Sequence, residues 1–179
     1  MSKLEVREIG PISGETEVRL ADGATAVGFG DGNNMPSFRV LGGYPNTPNG
    51  TYVKMKLEYG GVPDPTRWDV GDNFDNNNNR FIAPEEGYYS FSYVVTYNTK
   101  NPSDRVFAQI RVNDNANNSW QVNQRATGGA QRINALNTAV VYLQENDYVE
   151  LFGMQETGDP ADARSGETLM SGFKLAGLS

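Results

Sequence analysis

The sequence predicts an all-β domain, a sandwich or barrel of antiparallel strands, and three observations carry that expectation. First, hydrophobic residues make up only 37% of the 179-residue chain while aromatics reach 11%, a share that disordered chains rarely have. The apolar residues are thinned in favour of Gly, Asn, Pro and Asp, the residues of turns. Second, aromatic and aliphatic residues recur at period two in short runs, the spacing of a half-buried strand. Third, turn signals separate those runs at regular intervals, with no amphipathic helix of useful length between them. At this length a single core is the natural expectation.

The chain starts differently from the way it continues. Residues 1–34 carry two alternating pieces, Leu4-Glu5-Val6-Arg7 and Glu17-Val18-Arg19-Leu20, broken by Gly10-Pro11, Ser13-Gly14 and Asp22-Gly23. A glycine-rich junction, Gly28 to Asn34, closes the segment. This is the pattern of an extended N-terminal arm with one or two strands and no core of its own. Such an arm pairs with a neighbouring subunit or a larger host structure, or packs back on the main domain. Its candidate anchors are Leu4, Val6, Ile9, Ile12, Val18 and Leu20. Residues 35–179 form the β domain.

In that domain Ser37-Phe38-Arg39-Val40 is the first strand, followed by a turn-rich loop from Gly43 to Gly50 containing the hairpin-type pair Asn49-Gly50. Tyr52 to Tyr59 alternates along its length and reads as one strand. After a loop beginning at Gly60, the run Asn76 to Asn79 predicts an exposed turn, and Phe81-Ile82-Ala83-Pro84 restarts a strand. The strongest strand is Tyr88 to Tyr97, with Tyr89, Phe91, Tyr93 and Val95 on one face. Further strands are expected at Val106–Val112, Ser119–Val122, Ala130–Leu143, Tyr148–Gln155 and Thr168–Leu175. The loops Asn113–Asn118, Gln144–Asp147 and Glu156–Gly166 separate them.

Phe81, Ala83, Pro84, Gly87, Tyr89 and Phe91 stand at a fixed spacing that resembles the hallmark of the C1q/TNF-like jelly-roll family. Trp68 to Asp75 looks like the segment leading into that motif, and Pro36 to Val40 resembles the family's first strand. Val140 to Leu143 and Asp147 to Leu151 resemble its late strands, and Ser171-Gly172-Phe173-Lys174-Leu175 its closing strand. The resemblance runs from Pro36 to the C-terminus and implies an antiparallel jelly-roll sandwich. The motif also has a physical logic. Pro84 lacks the N–H that a ladder needs, Gly87 permits a turn, and Tyr89 and Phe91 bury large apolar area. Gly172 and Phe173 complete this core motif. Where the family has Gly-Asp before its penultimate strand, this chain has Asn146-Asp147, and Asn tolerates the same backbone region. The chain carries no collagen-like stalk; the short arm stands in its place.

The resemblance implies a homotrimer, in which three jelly rolls pack around an axis through one apolar face each. Tyr88, Phe107, Tyr142, Tyr148 and Phe152 exceed what one thin core needs and are the candidates for that face. The alternative, that all of them are intramolecular core, stays open at this level, as does which of them lines the axis.

Composition removes several functions. No cysteine and no histidine are present, so Ser-His-Asp and Cys-His catalysis and the usual zinc sites are excluded. Acidic residues number 22 against 15 basic ones, a net charge of −7 that argues against nucleic acid and anionic membranes as partners. Asp69, Asp72 and Asp75, with Asp159 and Asp162, leave calcium possible as a ligand, although no EF-hand pattern is present. No paired carboxylates point to a glycosidase. Gly28-Phe29-Gly30-Asp31-Gly32 opens no helix and is not a dinucleotide loop.

The arm adds a second resemblance. Ile9-Gly10-Pro11-Ile12-Ser13-Gly14 followed by Val18 to Gly23 is similar to short segments of bacteriophage structural proteins. The N-terminus lacks the basic start and apolar core of a secretory signal, so assembly in a host cytoplasm is expected. The expected function is a non-enzymatic homotrimeric virion surface protein. It would be a phage capsid decoration (cement) protein that stabilises the head, its arm bound to the major capsid protein or another virion component. The alternative is a tail fibre or spike tip that binds a host receptor or glycan through Gly43–Gly50 and Asn113–Trp120, with Trp120 as a stacking surface. A bacterial C1q-like protein outside any phage is a third reading.

Overall fold

The computed structural model describes residues 36–59, 66–129 and 131–176. The arm and its candidate anchors lie outside these residues. Among the described residues twelve strands form two sheets in which every strand pair is antiparallel. The first sheet holds β1 (Ser37–Thr47), β3 (Lys56–Glu58), β4 (Trp68–Val70), β7 (Gly87–Thr99), β10 (Gln131–Leu143) and β12 (Ala161–Ala176). Its order is β10-β7-β12-β1-β3, with β4 also on β1. The second sheet holds β2 (Val53–Lys54), β5 (Phe74–Asp75), β6 (Arg80–Ile82), β8 (Arg105–Val112), β9 (Asn115–Arg125) and β11 (Tyr148–Glu156). Its order is β5-β6-β11-β8-β9, with β2 on β11. Strands distant in sequence lie side by side, as in the expected jelly-roll sandwich.

The alternation of β7 places Tyr89, Phe91, Tyr93, Val95 and Tyr97 inward, and all five are fully buried. They meet Val106, Ala108 and Ile110 of β8 and Val149 and Leu151 of β11, which are equally buried. Phe81 is the hub of the aromatic end of this core. Its ring centroid lies 4.8 Å from Phe38, 5.7 Å from Phe91 and 5.6 Å from Tyr89. Gly172 lies against the same rings: a Cβ there would sit 2.8 Å from Phe91 Cδ1 and 2.9 Å from Phe38 Cε1.

Several strand boundaries differ from the sequence expectation: the expected loop Glu156–Gly166, for one, is already strand from Ala161, where β12 pairs with the end of β1. The single strand Tyr52–Tyr59 divides at Met55, so that β2 joins the second sheet and β3 the first. Met55 is fully buried at the crossing, and its N–H donates to the Leu151 carbonyl at 2.8 Å. Period-two alternation is the same whether a strand stays in one sheet or changes sheets, so the pattern could not show the break. The loop Gly43–Gly50 is instead strand as far as Thr47. Its partner β12 absorbs the irregularity, because the pairing jumps from Gly42↔Thr168 to Tyr44↔Ala163 and Gly166 turns with φ +80°. The Asn-rich stretch is likewise strand from Asn115 onward. Only Asn113 and Asp114, both at φ 54°, make the turn. Pairing with β8 satisfies the backbone of this edge strand whatever its side chains are.

The run Asn76–Asn79 is a turn as expected, but it also closes a sheet edge. The side-chain oxygens of Asn79 and Asn76 accept from the N–H groups of Leu57 and Tyr59 at 2.8 and 2.9 Å, capping the outer edge of β3. Asn146 adopts φ 69° in the β10–β11 turn, the backbone role expected of it.

Candidate functional site

The motif residues separate into two groups. Phe81, Ala83, Gly87, Tyr89, Phe91 and Gly172 are buried, while Pro84 is exposed just past the end of β6. Phe173 does not join the core, contrary to expectation: it is 46% exposed. Alternation is the reason. With Gly172 pressed inward against Phe38 and Phe91, the next side chain must point to the other face of the sheet.

That outer face of the first sheet is the most distinctive surface of the molecule. Phe173 pairs with Ser37 of β1 on one side and Ser90 of β7 on the other. Ser37 pairs in turn with Val70, and Ser90 with Val140, so one row runs Val140–Ser90–Phe173–Ser37–Val70 across five strands. A second row runs Leu136–Val94–Leu169–Leu41. Tyr142 pairs with Tyr88, their ring centroids 5.5 Å apart, and Leu175 projects beside them on β12. All seven exposed large hydrophobic residues among those described belong to this face: Val70, Tyr88, Leu136, Val140, Tyr142, Phe173 and Leu175, at 39% to 62% exposure. At the tyrosine end, the Tyr142 hydroxyl donates a short hydrogen bond to Glu86 Oε1. That bond to the carboxylate, more than burial, holds the phenol pKa above its ordinary value.

The outer face of the second sheet is built in the opposite way. Its aromatics are covered by side chains of the same protomer. The Arg111 guanidinium lies 3.9 Å from the Phe152 ring centroid and 5.6 Å from that of Tyr52. Arg105 lies 5.4 Å from the Phe107 ring and pairs with Glu156 at 2.7 Å. Lys54 pairs with Glu150 at 2.9 Å, and the Tyr52 hydroxyl donates to Gln121 Oε1 at 2.7 Å. Burial pushes the Tyr52 phenol up to about 12. Phe107 and Phe152 are therefore intramolecular, and Tyr148 sits under Arg80 at 4.5 Å. Of the five aromatics expected to form an assembly face, only Tyr88 and Tyr142 lie on the open one.

Four of the five acidic residues considered for calcium are held by backbone N–H groups or a cation, and Asp72 is exposed. Asp69 accepts from Asn73 and Phe74 N–H at 3.1 and 2.8 Å, and burial raises its pKa against those bonds. Asp75 accepts from Asn77 and Asn78 N–H, Asp162 from Asn46 N–H, and Asp159 pairs with Lys100. Among the described residues no group of three or more acidic side chains is gathered as a metal site, and no helix is long and apolar enough to cross a membrane. Trp120 is no stacking platform on a loop. It is half-buried on β9, packs against the core, and its carbonyl accepts the Tyr93 hydroxyl at 2.7 Å.

A sequence signal for the open face did exist. β10 is apolar on both sides, with Ile133, Ala135, Ala139 and Val141 inward and Leu136, Val140 and Tyr142 outward. A strand apolar on both faces is one that expects cover on both.

A family model for the C1q domain matches residues 64–175. The structure is similar to the globular domain of zebrafish complement 1qA protein, with a TM-score of 0.54 and 17% sequence identity. That match covers 81% of this chain and 100% of the zebrafish chain. No curated protein sequence matches the chain.

Proposed function

The chain belongs to the C1q domain family, and from that premise we propose that it is a non-enzymatic homotrimer closed through the outer face of the first sheet. One observation carries the reading. The exposed large apolar side chains form one contiguous face, while the opposite face of the sandwich is covered in cis. Monomeric soluble proteins rarely leave a large contiguous apolar surface in water. Three copies arranged head to tail around an axis would bury it in a closed ring. The chain has no histidine or cysteine, and its described carboxylates are largely occupied by turns and ion pairs, which suits a binding or structural role.

Within that role the finer proposal is a virion surface protein, a phage capsid decoration protein assembled in the host cytoplasm. The arm of residues 1–34, similar in sequence to phage structural segments, would engage the major capsid protein, and the acidic body would face water. A protein that binds only the assembled shell stabilises that shell by mass action. The test is co-sedimentation of labelled protein with phage heads that lack it, alongside host cells. Saturable binding to heads, lost on deleting residues 1–30 while the trimer persists, supports decoration. Binding to neither particle overturns the virion assignment.

A fibre-tip role is the second reading, favoured by an open groove of about 970 Å³ between β1, β3 and the β12 bulge. Tyr44, Asn76, Asn79 and Asn98 line it, together with the opposed charges of Lys56, Arg164, Glu58 and Asp162. An aromatic surface among amides and balanced charges suits a neutral polyhydroxyl ligand. Binding to cells and not to heads would select this reading.

A further inference from the structure

We propose that Arg39 is the polar anchor of the assembly, its guanidinium held by a carboxylate of the neighbouring copy that covers the first sheet. The inference rests on the homotrimer reading and goes beyond it, to one residue and the group it meets. Arg39 lies in the middle of the open face. Phe38 and Val40 on either side of it are buried in the core, so Arg39 points outward. Across the sheet it is paired with Ser171 of β12 and Trp68 of β4, and along β1 it stands between Ser37 and Leu41. None of these side chains can neutralise it.

Among the described residues Arg39 makes no ion pair, and its Nε is buried with no hydrogen-bond acceptor. The carboxylates on the same face are engaged elsewhere: Glu167 with Arg132 and Arg164, each at 3.0 Å, and Glu58 with Arg67 at 3.8 Å. The apolar rows around Arg39 gain by losing water, but a guanidinium stripped of water and left unpaired costs far more than one paired by a carboxylate. Covering this face therefore requires the covering surface to bring an acceptor.

A second copy of the chain suits that requirement by charge. It carries 22 acidic residues against 15 basic ones, so its own cations cannot neutralise all of its carboxylates. Asp72 and Glu145 are exposed and make neither an ion pair nor a hydrogen bond among the described residues. In a head-to-tail ring the two sides of each contact are different patches, so an arginine on one side meets a different residue on the other. The planar fork of arginine grips a carboxylate with two parallel hydrogen bonds. A charge pair in an apolar contact also rejects neighbours that cannot complete it.

The sign of one substitution tests the proposal. In Arg39→Met the stem is kept and the charge is lost. If a neighbour's carboxylate faces Arg39, it is left buried and unpaired, and the concentration at half-dissociation should rise roughly a hundredfold or more. If no carboxylate is there, Met adds apolar cover and association is equal or tighter. Sedimentation velocity over a dilution series reads the difference. Far-UV circular dichroism checks that the protomer still folds. Arg39→Lys, which keeps the charge and loses the fork, is the second variant and should weaken association by a smaller factor. A trimeric wild type with Arg39→Met or Arg39→Lys associating as tightly or more tightly overturns the anchor alone. A wild type monomeric at every concentration overturns the trimer and the anchor together.

Discussion

Phe173→Ala is the most direct probe of the open face. A phenylalanine carries on the order of 200 Å² of surface. With 46% of it open in the protomer, about 90 Å² is available for burial by a neighbour. At ~25 cal/mol per Å² that is ~2 kcal/mol per copy, or ~7 kcal/mol over three copies. At ~1.4 kcal/mol per decade, the dissociation constant for three bodies shifts by ~10⁵. The half-dissociation concentration varies as its square root and so rises roughly 300-fold. Protomer stability should change by less than ~1 kcal/mol, because substitutions at positions still open to water disturb little of the fold. Analytical ultracentrifugation over a dilution series gives the first quantity, and urea unfolding of the dilute protein gives the second. A variant that stays trimeric at the same concentrations as wild type would refute the assignment of this face. A large loss of protomer stability would show that the ring belongs to the core after all.

Three further outcomes follow from the packing. Gly172→Ala forces a methyl group against the fully buried Phe91 and Phe38 rings, at 2.8 and 2.9 Å, and should cost ~1–3 kcal/mol in urea unfolding through overpacking; an unchanged midpoint contradicts the close approach. Asn79→Ala removes the acceptor for Leu57 N–H and places alanine at φ 53°, so a loss of ~1–3 kcal/mol is expected. Asn79→Gly, which relieves the backbone but not the hydrogen bond, should recover only part of it. Burial pushes the Tyr89 and Tyr97 phenols up to about 12, so between pH 10 and 12 they stay protonated when folded and ionise when unfolded. The unfolded state then binds fewer protons and stability falls with rising pH, by at most ~1.4 kcal/mol per pH unit for each tyrosine. Urea midpoints from pH 8 to 11.5 measure the slope. Tyr97→Phe should flatten it, and a slope unchanged in that variant would count against the assignment.

How much could be known before the fold was seen depends on the range of the interaction involved. The inward face of β7, the turn at Asn146 and the aromatic cluster around Phe81 were all legible, because alternation, backbone tolerance and apolar volume are written locally. The class of fold and the absence of histidine and cysteine chemistry followed from composition and period alone. The break at Met55 was not legible, since a strand that changes sheets alternates like one that does not. Phe107 and Phe152 looked like interface residues until Arg105 and Arg111, from their own protomer, were found over their rings. Phe173 looked like core until Gly172 was seen to take the inward position. The sequence by itself determined that this chain folds as an antiparallel sandwich with more apolar strand surface than one core can hold. Only the tertiary structure decided where the excess lies, because a side chain is left open or covered by residues that sequence distance does not reveal and sheet pairing alone brings together.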